Sequence, residues 1–159
     1  MKASEIFPSL SKRTLYAVLL LSLALVQASW AGDGWSLKDK DGAKYTLSGL
    51  RGKWVLVNFW APWCTPCLQE MSDLVAIQRQ HKDLQVIGVA VMYGSRKEVT
   101  DVISKQSVSY PIVFGNEDIA GDFGGLTGIP TSFLYSPSGE MVGHLEGPVT
   151  QADIELRIR

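Results

Sequence analysis

The sequence predicts an α/β domain built around a mixed β-sheet. Two nearly continuous apolar runs, Trp54–Trp60 and 84–91, are typical of strands that are buried on both faces. Each run is followed by a segment in which apolar residues recur at helical spacing, over 64–81 and 96–106. Because strands alternate with helices and the chain then closes with a hairpin and a helix, we expect both parallel and antiparallel strands in one sheet.

The elements before and after this centre follow from turn residues and periodicity. Residues 35–47 predict a hairpin, because apolar and polar residues alternate on either side of an Asp41-Gly42 turn. Beyond the second helix the sequence predicts a strand at Ile112–Phe114, a short helix at 117–123, a hairpin formed by Thr131–Tyr135 and 141–145, and a last helix that begins near Gln151.

The composition excludes several classes of protein. The chain has 159 residues, of which 46% are hydrophobic and 19% are charged, which is too apolar for a disordered polyampholyte. Its formal net charge is -1 and no basic stripe is visible, so we expect no nucleic-acid partner. The 2 cysteines rule out a multi-disulfide scaffold.

Residues 1–31 have the three parts of a secretory signal peptide. Basic residues precede an apolar run over 15–26, and small residues at Ser29 and Ala31 suit cleavage before Gly32. The apolar run is shorter than the ~20 residues that a membrane-spanning helix usually needs. An uncleaved membrane anchor is the alternative. Either outcome places one domain, residues 32–159, outside the cytoplasm.

The chemistry is predicted at Trp63-Cys64-Thr65-Pro66-Cys67, which follows a buried strand and opens a helix. A thiolate is the species that attacks a disulfide, and the N–H groups and dipole at a helix N-terminus stabilise a thiolate. Cys64 is therefore the predicted nucleophile. Cys67 lies one turn further along, where its sulfur can meet that of Cys64 and resolve a mixed disulfide.

Other uses of a cysteine pair fit the sequence less well. A structural disulfide would close a very short loop, so its stabilising effect would be small. A zinc site needs about four ligands, and the two histidines, His81 and His144, have no paired spacing. Covalent haem attachment requires His directly after the second cysteine, where this chain has Leu68. We therefore expect no metal and no cofactor.

Two stretches resemble the thioredoxin superfamily. They are V-N-F-W-A-P-W-C-T-P-C, which ends at Cys67, and G-I-P-T-S-F-L, which begins at Gly128. Over about residues 34–159 the chain is similar to the extracytoplasmic TlpA-like and ResA-like thiol-disulfide oxidoreductases. The resemblance implies a thioredoxin fold with an N-terminal hairpin and a strand–helix insertion.

The same resemblance implies a substrate groove. Pro130 is expected to be a cis proline that faces the cysteine pair, and Ile129 is expected to offer its backbone to an extended substrate segment. Trp63 is predicted to shield the sulfurs and border this groove. A tryptophan that only packs is the alternative.

Two polar residues bear on proton transfer. Thioredoxins proper have a buried Asp where this chain has Asn58, so a base on the strand is in doubt and Asn58 is interpreted as a core residue satisfied by local hydrogen bonds. Glu70 lies on the same helical side as Cys67, and ResA-like proteins have the same Glu. A partly buried carboxylate beside two thiols would have a raised pKa and could exchange a proton with a sulfur. A solvated helix Glu is the alternative.

These observations predict a thiol-disulfide oxidoreductase that mainly reduces disulfides of client proteins in the bacterial periplasm. By resemblance, its electrons come from a membrane thiol-disulfide transporter of the CcdA or DsbD type, and its clients serve cytochrome c maturation or copper-site assembly. A monomer is expected. An oxidase or isomerase, and a Cu(I) carrier that uses the cysteine pair, stay open as alternatives. A peroxidase fits less well, because there is no separate peroxidatic cysteine.

Overall fold

The computed structural model describes residues 34–158, and the predicted mixed sheet lies at the centre of this region. Within it, a five-stranded sheet has the order β5-β4-β3-β6-β7, and a separate two-stranded sheet pairs β1 with β2. The strands are β1 (Ser36–Lys38), β2 (Lys44–Thr46), β3 (Trp54–Trp60), β4 (Leu84–Ala90), β5 (Ile112–Phe114), β6 (Thr131–Tyr135) and β7 (Met141–Glu146). The helices are α1 (Thr65–Gln80), α2 (Arg96–Lys105), α3 (Glu117–Asp122) and α4 (Gln151–Glu155).

Strand β3 is the axis of the sheet. It runs parallel to β4 and antiparallel to β6, and every residue after Trp54 is buried. The parallel β3–α1–β4 unit brings the start of α1 to the carboxyl end of β3. The antiparallel hairpin of β6 and β7 closes the other side of the sheet. This arrangement confirms the predicted mixed sheet and the thioredoxin fold.

Alternate residues of the sheet separate two apolar cores. On one face, Leu56 and Trp60 pack with Met71 and Leu74 of α1. On the other face, the core is an aromatic cluster that includes part of the N-terminal hairpin. Its rings are in contact with one another and include Trp35, Phe59, Phe123 and Phe133. Because both faces are covered, the ends of the strands are the places where chemistry can reach solvent.

The predicted elements agree with the structure to within a residue or two. Helix α1 begins at Thr65 with Cys64 as its N-cap, and the N-terminal hairpin pairs Leu37 with Tyr45 as its alternation predicts. The strand–helix insertion is β5 followed by α3. The predicted signal peptide over 1–31 lies outside the described residues. Among residues 34–158, no helix is both long enough and apolar enough to span a bilayer.

Candidate active site

The two cysteines form a disulfide at the start of α1. Their sulfurs are 2.05 Å apart and their Cα atoms 5.3 Å apart. Cys64 is the N-cap residue in an extended conformation, and Pro66 occupies the first turn, where a missing N–H costs no helical hydrogen bond. The C-x-x-C spacing therefore brings the two sulfurs together within one helical turn, as the sequence predicts.

The local environment distinguishes the two sulfurs. The backbone N–H of Cys67 donates a hydrogen bond to Sγ of Cys64 at 3.3 Å. Cys64 keeps 5% of its surface exposed, whereas Cys67 is at 0%. The donor and the positive end of the helix would favour a thiolate on Cys64 in the reduced protein. Cys67 is therefore shielded from solvent.

An exposed aromatic ring and the loop before β6 lie at the same end of the sheet. Trp63 is 63% exposed, and its Nε1 donates to the carbonyl oxygen of Met92 at 2.7 Å. The Ile129–Pro130 peptide bond is cis, as the resemblance implies. Pro130 is buried, while Ile129 is partly exposed and packs against both apolar cores, one of which includes the cysteines.

Glu70 is a buried carboxylate on α1, only 3% exposed. Its Oε1 accepts from Nδ2 of Asn58 at 2.8 Å, and its Oε2 accepts from the backbone N–H of Val149 at 2.8 Å. Burial raises the pKa of Glu70 to about 7, against the lowering effect of these two hydrogen bonds and with a small further rise from Asp73. The carboxyl can therefore gain or lose a proton near neutral pH.

Asn58 is a buried core residue, as interpreted, but its hydrogen bonds are not local in sequence. Its Nδ2 donates to Glu70 on α1 and to Oγ of Ser132 on β6, both distant along the chain, while its Oδ1 has no partner among the described protein atoms. Asn58 thus provides no base, but it holds the carboxylate that does titrate. The link to Glu70 needs the packing of α1 on the sheet, which the local sequence does not reveal.

Two further residues at this site have no signal in the sequence. Val149 acts through its backbone N–H, which any residue except proline would supply, and it lies far along the chain from Glu70. Met92 adopts a positive φ of 50°, and its carbonyl oxygen receives the Trp63 indole N–H. A methionine in a left-handed backbone conformation is uncommon and is not encoded by residue type.

A disulfide at the first turn of a helix, after the central strand of this mixed sheet and together with a cis-proline loop, defines a thiol-disulfide oxidoreductase of the thioredoxin fold. The comparison with known families agrees. The chain belongs to the AhpC/TSA family, whose model matches residues 32–144, and it acts by dithiol–disulfide exchange.

Relatives and solved structures have the same chemistry in their names. The chain is 30% identical over 146 residues to the thiol-disulfide oxidoreductase ResA of Geobacillus kaustophilus, covering 91% of this chain and 84% of that one. It is 29% identical over 142 residues to ResA of Bacillus subtilis, covering 89% and 79%. A crystal structure of a thiol:disulfide interchange protein from Chlorobium tepidum aligns with a TM-score of 0.68 at 32% identity, covering 77% and 88%.

Proposed function

We propose that this protein reduces disulfide bonds in client proteins, with Cys64 as the nucleophile and Cys67 as the resolving thiol. The Cys64 thiolate attacks a client disulfide, a mixed disulfide forms, and the client's other sulfur leaves as a thiolate that takes a proton from solvent. Cys67 then attacks Cys64, which releases the second client sulfur and forms the disulfide seen here. The client gains two electrons and two protons. The observation that carries the proposal is the difference between a slightly exposed, hydrogen-bonded Cys64 and a fully buried Cys67.

We assign Glu70 the role of accepting the proton that Cys67 loses in the resolving step. Cys67 must lose a proton before it can attack, and its side chain is fully buried, so a neighbouring protein group is needed to take that proton from the thiol. Glu70 follows Cys67 by nearly one helical turn, and its pKa of about 7 suits exchange with a thiol near neutral pH. The carboxylate accepts the Cys67 proton and releases it after the disulfide has formed.

The substrate groove is assigned to Trp63, Ile129 and Pro130. The exposed Trp63 ring gives an apolar contact beside Cys64, and its bond to Met92 limits its rotation. The partly exposed Ile129 has a backbone that an extended client segment could pair with, as an added strand would. Recognition through the backbone would let the enzyme accept clients of different sequence.

The cellular setting is proposed from the N-terminal segment and the relatives. A signal peptide over 1–31, cleaved or kept as an anchor, would place residues 32–159 in the periplasm. Because each reduction leaves the cysteine pair oxidised, a donor must supply electrons across the membrane, and a CcdA-type or DsbD-type transporter fits that need. Clients that mature cytochrome c or copper sites fit the likeness to ResA-like proteins.

Trapping tests the assignment of the two cysteines. A Cys67→Ala variant should accumulate mixed disulfides with clients in its native compartment, whereas a matched Cys64→Ala variant should trap far fewer. Equal trapping by both variants, or none by Cys67→Ala, would contradict the proposed roles.

The direction of electron flow is tested by the equilibrium of the wild-type protein with glutathione. If the protein is a reductase, the reduction potential of its cysteine pair should be more negative than that of glutathione. A strongly oxidising pair would require the oxidase or isomerase alternative. Metal analysis of the reduced protein tests the Cu(I) alternative, and an assay of hydroperoxide consumption tests peroxidase activity. Reduction of insulin, with no copper bound and no hydroperoxide consumed, supports the reductase.

A further inference from the structure

Three polar atoms on the face of the sheet that packs against α1 are buried without a hydrogen-bond partner among the described residues. They are Nε1 of Trp60, the hydroxyl of Tyr110 and Oδ1 of Asn58. All three residues are buried, and they belong to or border the core between α1 and the sheet. Buried polar groups in native proteins are nearly always hydrogen-bonded, either to protein or to ordered water. Three unpaired atoms in one region therefore require an explanation.

Gly88 brings these side chains together. It pairs with Asn58 across β3 and β4, so the two residues share one face of the sheet, and Trp60 lies on that face two residues further along. A Cβ atom built on Gly88 would lie 3.2 Å from Nε1 of Trp60 and 3.0 Å from Cε2 of Tyr110. Both rings thus pack against Gly88, with Nε1 of the indole and the edge of the phenol ring nearest to it.

Glu70 has acceptor positions that no described donor uses. An ionised carboxylate has about four acceptor positions. The structure uses two of them, one for Asn58 and one for the N–H of Val149. Burial and, after it, the negative charge of Glu70 raise the pKa of Tyr110, so its hydroxyl is a donor at neutral pH. The unpaired Tyr110 hydroxyl therefore lies within electrostatic range of a carboxylate that has positions to spare.

We propose that Trp60, Tyr110, Asn58 and Glu70 enclose a buried water site, in which Tyr110 is a positioning residue that holds water against the Glu70 carboxylate. A buried water typically makes about three hydrogen bonds to polar groups that would otherwise be unpaired, and this site offers two donors and at least two acceptors. The inference deepens the proposed function, on which it rests, because such water would solvate the charged form of Glu70 during proton exchange with Cys67.

The test must separate the effect of Tyr110 on the pKa of Glu70 from the effects of the other groups that surround this carboxyl. Asp73 on the same helix raises the pKa of Glu70, and the backbone N–H of Val149 lowers it. From the sheet come the neutral side chains of Asn58 and, behind it, Ser132. In the oxidised protein the cysteines do not titrate. A change at Tyr110 in that state therefore reports on the proposed water site.

The test is a Tyr110→Phe variant, which keeps the ring and removes the hydroxyl. The titration of Glu70 is followed by the NMR shift of its Cδ in the oxidised protein. We expect the pKa of Glu70 to rise by about one unit, a tenfold change in proton affinity, because a donor to the charged form is lost. The matched control is Tyr135→Phe, which removes the hydroxyl of a buried tyrosine on the opposite face of the sheet and should leave the Glu70 curve unchanged.

A Tyr110→Phe curve that superimposes on the wild-type curve would overturn the proposal. A crystal structure of the wild-type protein at about 1.5 Å gives a second test that does not need the variant to fold. It should show ordered water within about 3.2 Å of both the Tyr110 hydroxyl and Nε1 of Trp60, and a dry cluster would also overturn the proposal. Neither test uses catalysis, so a shifted curve in a protein that reduces no disulfide would reject only the proposed function.

Discussion

Replacing Glu70 by glutamine should remove a pH dependence of stability that the wild-type protein has. The pKa of Glu70 rises from an ordinary 4.5 to about 7 in the folded chain, because the carboxyl is buried. The folded state therefore binds this proton more tightly than the unfolded state does. The stabilising contribution is fully present below the unfolded pKa and is lost as the pH rises through about 7.

The size of the effect follows from the shift. At about 1.36 kcal/mol per pKa unit, the rise corresponds to about 3 kcal/mol between about pH 4 and pH 8.5. That is a large part of the ~5–15 kcal/mol by which a typical domain is stable. Glutamine does not titrate, so the free energy of unfolding of the Glu70→Gln variant should not show this decrease as the pH rises. Below pH 5, however, the variant should be less stable by about 1–3 kcal/mol, since one amide oxygen cannot serve both Asn58 and Val149.

Urea unfolding of the oxidised protein at a series of pH values measures this difference. The cysteines do not titrate in that form, and the variant differs from the wild type only at residue 70. Glu140→Gln, at an exposed carboxylate before β7, is the matched control and should follow the wild-type curve. Curves for Glu70→Gln and wild type that fall in parallel across pH 5–8.5 would refute the reasoning.

Three further changes test the packing around this carboxylate. Asn58→Asp would place a second carboxylate where Nδ2 now lies 2.8 Å from Glu70, so the two should share a proton and stability should fall more steeply with pH than in wild type; an unchanged slope in urea would contradict this. Gly88→Ala should cost about 1–3 kcal/mol, because the new Cβ would lie 2.7 Å from a neighbouring side-chain atom, whereas Gly121→Ala, in open space, should not destabilise the protein. Thr150→Ala removes a capping box and should lower stability by about 1 kcal/mol, and an unchanged urea midpoint would argue against it.

Local sequence was sufficient where the determinants are local. The apolar run at Trp54–Trp60 became the central strand with the predicted bounds. Helix α1 begins one residue before Pro66, which is tolerated in the first turn of a helix. The cysteine spacing brings the two sulfurs into contact. The cis bond before Pro130 came from a resemblance, since residue type alone favours the trans form. Each of these features depends on a few neighbouring residues.

The surroundings of Glu70 were predicted only in outline, because its partners are distant in sequence. Burial of this residue follows from its place on the α1 face, but its hydrogen bonds come from Asn58, 12 residues earlier, and Val149, 79 residues later. The same is true of Asn58, whose second bond goes to Ser132, 74 residues away. Periodicity assigns a residue to a face of an element, whereas these contacts require the faces of different elements to be matched.

The contact with Val149 makes the last helix part of the site. Val149 directly precedes Thr150, the N-cap of α4, whose side chain and that of Asp153 satisfy each other's backbone N–H groups. The N–H of Val149 is thereby left to Glu70, and α4 packs against α1 around Ile154. A helix of five residues contributes little stability through its own hydrogen bonds. Its capped start instead holds a donor at the carboxylate, and this donor keeps the pKa of Glu70 lower than burial alone would make it.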